Sequence, residues 1–152
     1  MTALITDATG AMVIWVHGDM LSPHNPAFAR YPDAPAIYVW DDALLANYHL
    51  SLKRITFIYE CLLELPVTIR RGDVATEVVR FAAEHHAATI VTVETPAPRF
   101  TAMRDTIEAH VRVETLPEVP FVSYRGVLDL KRFSRYWRVA EPYASGRGSS
   151  SP

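Results

Sequence analysis

The stretch WVHGDMLSPHNPAF, residues 15–28, sets two histidines, an aspartate, an asparagine, a glycine and two prolines directly behind an apolar run. Two histidines and an aspartate are zinc-ligand types. Their spacing, His17 to Asp19 to His24, fits no standard metal motif, so no metal site is expected. Asp and Asn side chains also bond nearby backbone N–H groups and fix turns. Proline suits the first position of a helix. Asp19, Asn25 and Pro26 therefore read as loop-shaping residues, with His17 and Asp19 also placed to touch a ligand. Other acidic residues stand where later apolar runs end. The candidate ligand-binding set is His17, Asp19, Asp41, Asp73 and Glu94.

Familiar catalytic and nucleotide patterns are missing. No G-x-G-x-x-G follows the first apolar run, no G-x-x-x-x-G-K-[ST] occurs, and there is no G-x-S-x-G. No catalytic residue is assigned. Cys61, the single cysteine, lies beside the apolar stripe of a helix and reads as a packed thiol. His85-His86 close a helix, where histidines interact well with the carbonyl end. Arg71-Gly72-Asp73 reads as a strand-to-helix turn. Between residues 125 and 138, Arg125, Lys131, Arg132, Arg135 and Arg138 alternate with Phe133, Tyr136 and Trp137. Such a segment can meet phosphates or dock as an amphipathic helix. A net charge of −2 gives no global pull toward nucleic acid, so docking is the expectation and these three aromatics are the candidate partner interface.

The elements that must carry these groups follow from apolar periodicity. MVIWV (12–16) and AIYVW (36–40) are continuous β-branched or aromatic runs, the pattern of strands buried on both faces. VTIRR (67–71), TIVTVE (89–94) and RVETL (112–116) are further strands, and VPFVSY (119–124) can form another. Between them, a short helix fits 26–30 and longer ones fit 51–65, 74–86 and 99–111, with a final helix over 129–139. The expected inner faces are Leu52, Ile55, Ile58 or Tyr59, Leu62 and Leu65; then Val74, Val78, Phe81 and Ala82; then Phe100, Met103, Ile107 and Val111. Asp73 is a natural N-cap, and Asp41 and Asp42 are turn or cap residues.

Strands alternating with helices make βαβ units. The expected fold is α/β, a Rossmann-like three-layer α/β/α sandwich around a five-stranded, mostly parallel sheet. Ligands of such sheets lie past the carboxyl ends of the strands, where the candidate set stands. With 152 residues, one domain is expected over 1–140, and the Gly/Ser-rich end, 141–152, is expected to be disordered. No signal peptide or membrane span is visible, and a single cysteine rules out an internal disulfide, so a cytoplasmic location is expected.

The order of motifs resembles the DNA photolyase/cryptochrome family. VIWVHGDMLSPHNPAF (13–28) is similar to the family's [LIV]-x-W-F-R-x-D-L-R-x-x-D-N-P-A-L, with Trp15, Asp19, Asn25, Pro26 and Ala27 in matching places. VWDDALL (39–45), the helix from Lys53 to Leu65, IRRGDVATEVVRFAAEHHAATIVTVE (69–94) and Met103-Arg104-Asp105 follow in the family's order. The match covers about residues 12–124. It implies the N-terminal, antenna-type α/β domain of that family. Family members follow this domain with a helical one that binds FAD and damaged DNA, so flavin photochemistry is not expected of these residues. Both arginines of the first motif are replaced, by His17 and by a residue in the Met20-Leu21 stretch, and His24 stands for the Asp before Asn-Pro. After the fourth strand, Glu94-Thr95-Pro96-Ala97-Pro98 departs from the family's folate-contact pattern.

The expected function is a stand-alone photolyase-related module that binds a partner and is non-catalytic alone. Its partner would be a separate helical flavoprotein or a second copy, a homo-oligomer, with no membrane and no nucleic acid bound by this chain on its own. The alternative is a small-molecule binder holding a nucleotide, flavin or antenna chromophore at the strand ends. No cofactor is assigned beyond that antenna chromophore or nucleotide.

Overall fold

A computed structural model describes residues 10–47 and 49–145. The expectations for residues 1–9 and for the Gly/Ser-rich end from 146 lie outside the described residues. Two compact units are present, one ending at Glu118 and the next beginning at Val119.

In the first unit the elements run β1 (Met12–Val16), α1 (Pro26–Arg30), β2 (Ala36–Asp41), α2 (Asp42–Asn47), α3 (Leu52–Leu63), β3 (Val67–Gly72), α4 (Val74–Glu84), β4 (Thr89–Val93), α5 (Pro98–Glu108) and β5 (Arg112–Leu116). The strands form one five-stranded sheet in the order β3-β2-β1-β4-β5, and every pairing is parallel. This is the α/β, Rossmann-like three-layer arrangement that the sequence implies.

Side chains alternate across a strand, so the central strands feed two cores. Ile14, Val16, Ala36 and Tyr38 point to the side of α1 and α3, where Phe28, Ile58 and Leu62 meet them. Val13, Trp15, Ile37 and Val39 point to the side of α4 and α5, against Val78, Phe81, Phe100 and Ile107. Each large side chain so buried contributes about 1.5–3 kcal/mol. The edge strand β3 is different: its Arg70 pairs with Glu84 and Glu77, and Arg71 with Asp42. A charged edge discourages pairing with another chain's strand.

The four residues expected on the inner face of α4 are the four it buries. On α3 the buried pair is Ile58 and Leu62, while Leu52 is 77% exposed and Tyr59 48%. The expected stripe is correct only where the helix faces the sheet. Asp41 and Asp42 do more than turn the chain. The Asp41 carboxylate accepts the N–H groups of Ala43 and Leu44 and starts α2, a helix too short to show apolar periodicity. At the β3–α4 junction Gly72 has φ +148, a conformation that side chains disfavour.

In the second unit, VPFVSY is not a strand. Pro120 removes a backbone donor from a run too short to spare it. The final helix, α6 (Phe133–Ala144), starts later and ends later than expected. The expected domain boundary at residue 140 falls inside it, so the helix persists where a disordered tail was expected to begin. Its apolar positions continue through Tyr143 and Ala144.

Candidate functional site

With the order β3-β2-β1-β4-β5, the chain leaves β1 toward one edge and returns to β4 on the other side. Their carboxyl ends flank the switch point, where an α/β sheet opens a crevice. The residues immediately after β1 and β4 meet across it. His17 Nε2 lies 2.8 Å from the carbonyl of Val93. Thr95 Oγ1 donates to Asp19 Oδ2 at 2.6 Å. These two links join loops 76 residues apart in sequence.

The Val93 carbonyl can only accept, so Nε2 carries the proton. Nδ1 accepts the Asp19 N–H at 3.3 Å. Both ring nitrogens are thus used in the neutral form. Burial lowers the His17 pKa below its usual 6.5, against smaller opposing effects from the Val93 carbonyl and from the charges of Asp19 and Glu118. The folded chain therefore binds a proton here less readily than the unfolded chain. Stability from this site is fully present above pH 6.5 and declines as pH falls below it, toward the depressed folded value. In His17→Gln, urea unfolding across this window is expected to lose that part of the slope. A difference between wild type and variant that stays constant with pH would exclude His17 as the source.

The ring of His17 belongs to an aromatic trio. Trp15 stacks on Phe100, centroids 5.6 Å apart at 14°, and His17 meets both rings at 5.8 and 5.2 Å. His17 and Phe100 form part of the lining of a cavity of about 420 Å³. Asp19 and Thr95 line it beside the linked loops, Leu44 and Arg54 from α2 and α3, and Met103 from α5. Ala97, the N-cap of α5, supplies no side-chain cap, and Pro98 opens the helix at the cavity. The amide end of α5 therefore brings partial positive charge to the cavity. A second recess of about 600 Å³ shares Gly18, Asp19, Leu44 and Arg54 with it and adds Tyr38 and Phe57. Burial, with Asp41 adding to it and Arg54 opposing, pushes the Tyr38 phenol up to about 12.

The loop behind this wall is built by Asn25. Its Nδ2 donates to the carbonyls of Met20 and Ser22, both at 3.0 Å, and its Oδ1 accepts the N–H groups of Ala27 and Phe28. Pro26 follows at the first position of α1. Asn25 is a loop-shaping residue, as its type suggests. Asp19 is tied across the crevice instead.

The five candidate positions do not converge. His17 and Asp19 share the cavity. Asp41 and Asp73 line a smaller neighbouring recess of about 230 Å³ with Arg99, which pairs with Asp41. Both are committed to helix starts: Asp73 accepts the N–H and hydroxyl of Thr76, which hold its carboxyl below the usual range. Glu94 is exposed on the outer side, and its N–H donates to the Leu116 carbonyl. Among the described residues no three His, Cys, Asp or Glu side chains gather where they could hold a metal ion. Arg54, Thr95, Arg99 and Met103 are not in the candidate set; the sequence predicts Met103 only as an inner-face residue of its helix. Arg99 and Met103 stand four apart just after Pro98, a spacing that puts both on one face of the first turns of α5.

No family model matches the chain, and no curated protein matches it. Among solved structures it is similar to a bacterial class III photolyase from Agrobacterium tumefaciens, with a TM-score of 0.55 and 16% identity over 99% of this chain. The fold is photolyase-like. At this identity the likeness establishes the fold and nothing finer. The chain spans 34% of that photolyase's length. In this photolyase-like fold, the cavity at the β1/β4 switch point gathers side chains from both linked loops and from α2, α3 and α5. No helix among the described residues is long and apolar enough to cross a membrane.

Proposed function

We propose that this chain is a photolyase-related α/β module, of the antenna-domain type, that works docked on a partner and is not catalytic alone. The observation that carries this reading is the apolar surface of the second unit. Phe121 is 67% exposed, Val127 97%, Leu130 74% and Phe133 71%. The rings of Phe133 and Trp137 stack 5.7 Å apart, and Ala140 is the one residue α6 buries. A soluble surface rarely carries so many large apolar groups on one short segment unless a partner covers them. A helical flavoprotein half fits the family resemblance, with a second copy as the other occupant. Phe133, Tyr136 and Trp137 are the proposed contact residues.

The test is native mass spectrometry of the protein purified from its own host. A stoichiometric complex with a flavin-containing protein, or a homo-oligomer, supports the reading. The double variant Phe133→Ser, Trp137→Ser is expected to weaken that complex at least about tenfold. A monomer at every concentration, with no partner protein, overturns it.

The switch-point cavity supports a second reading, a small-molecule binder. The His17 and Phe100 rings, Arg54 and the amide end of α5 suit a flat anionic ligand such as a nucleotide, flavin or antenna pigment. Near-UV or visible absorbance that stays with the purified protein, and is lost in Arg54→Glu, supports this reading. A colourless protein that also fails to bind added flavin mononucleotide counts against it.

A further inference from the structure

Helix α3 turns Ile58 and Leu62 into the sheet, yet it carries a second apolar stripe outside. At 100° per residue, Leu52, Tyr59 and Leu63 lie within about 40° of one another around the helix. They are 77%, 48% and 65% exposed. Thr56 completes the stripe. Along one flank stand Lys53, Glu60 and Glu64, again within about 40° of one another. The cation is at the amino end of this flank and both carboxylates are at the carboxyl end. Among the described residues none of the three has an ion-pair partner.

That charge order selects the occupant. We propose that α3 is a self-association face, on which two copies pack their α3 helices antiparallel about a two-fold axis. The axis passes between the levels of Thr56 and Tyr59, so Leu52 of one copy meets Leu63 of the other. A two-fold perpendicular to the helices brings the same flank of each together. Lys53 of one copy then faces Glu60 and Glu64 of the other, and the contact occurs twice, as in any isologous interface. A parallel two-fold pair would instead set this flank against the opposite flank of the partner helix, the side of Ile55 and Leu62, and leave all three charges without a counterion. An unrelated partner has no reason to match this antisymmetric order, whereas a second copy supplies it automatically. This face lies in the first unit and does not depend on what covers residues 119–144.

The test is sedimentation velocity of the full chain over a wide concentration range. A concentration-dependent dimer is expected. Leu63→Glu puts a charge opposite Leu52 and should leave monomer. Lys53→Glu faces two carboxylates of the other copy, Glu60 and Glu64, and should weaken the dimer at least about tenfold. Adding Glu60→Lys and Glu64→Lys to Lys53→Glu reverses the whole flank and should restore it. All substituted side chains are exposed, and circular dichroism confirms that each variant folds. A wild type that stays monomeric overturns the proposal. So does a dimer indifferent to these changes, or one that the reversed flank fails to rescue. A dimer lost only in Phe133→Ser, Trp137→Ser would reject the α3 face while supporting the proposed function. A monomer whose 1:1 complex with another protein is lost in Leu63→Glu would reject the second copy as occupant.

Discussion

Asn25→Asp is expected to cost about 2–4 kcal/mol of folding stability at neutral pH, although the two side chains have nearly the same shape. Asn25 is 7% exposed and uses both ends of its amide. The oxygen caps α1, and a carboxylate would keep that bond. The nitrogen donates to two carbonyls, and there an oxygen would face two oxygens without water. The introduced carboxyl can relieve this by keeping its proton, so its folded pKa rises above the unfolded value near 4. The deficit relative to wild type should therefore be small at about pH 4 and grow as pH rises through the folded pKa. Urea unfolding of both proteins at several pH values measures it. A deficit under about 0.5 kcal/mol at pH 7, within the range of ordinary surface changes, would mean that the loop does not depend on this residue.

Trp15→Ala is expected to lose about 3–5 kcal/mol, the usual cost of truncating a large buried aromatic. Trp15 is 1% exposed and supports both Phe100 and His17. Its removal leaves a void directly beneath the cavity, so any ligand held there should be lost along with the stability. Trp15→Phe still offers a ring to Phe100 and should fall between wild type and alanine. Chemical unfolding gives the stability, and retained absorbance or flavin mononucleotide titration gives the binding. Equal stability of Trp15→Ala and wild type would refute this packing.

How much could be read in advance depended on the range of the interaction. The β1 and β2 runs announced themselves as strands buried on both faces because their apolar residues are continuous. The α4 face was legible because four residues at helical spacing pack on one side and nothing else competes for them. On α3 the same rule named too many residues. The helix bears two apolar stripes, and periodicity alone cannot tell the one that faces the sheet from the one that faces outward. VPFVSY carried strand residue types, but Pro120 denies it a full ladder.

For the candidate site, spacing identified strand ends and no more. Asp41 and Asp73 lie at strand ends because helices begin there, and their carboxylates cap those helices. Glu94 lies at a strand end but faces outward. His17 and Asp19 do reach the cavity, though through Val93 and Thr95, partners no local pattern could name.

The sequence by itself determined the alternation of strands and helices, most of their buried faces, the turn built by Asn25 and the caps at Asp41 and Asp73. These rest on contacts within a few residues, where periodicity and side-chain type are sufficient. The tertiary structure alone decided that β1 would sit between β2 and β4. That neighbourhood joins residue 17 to residue 93, brings Arg54 and Met103 to one cavity and leaves an apolar stripe of α3 outside. Strand order is set by burying both faces of the whole sheet at once, and no single stretch of chain contains that information.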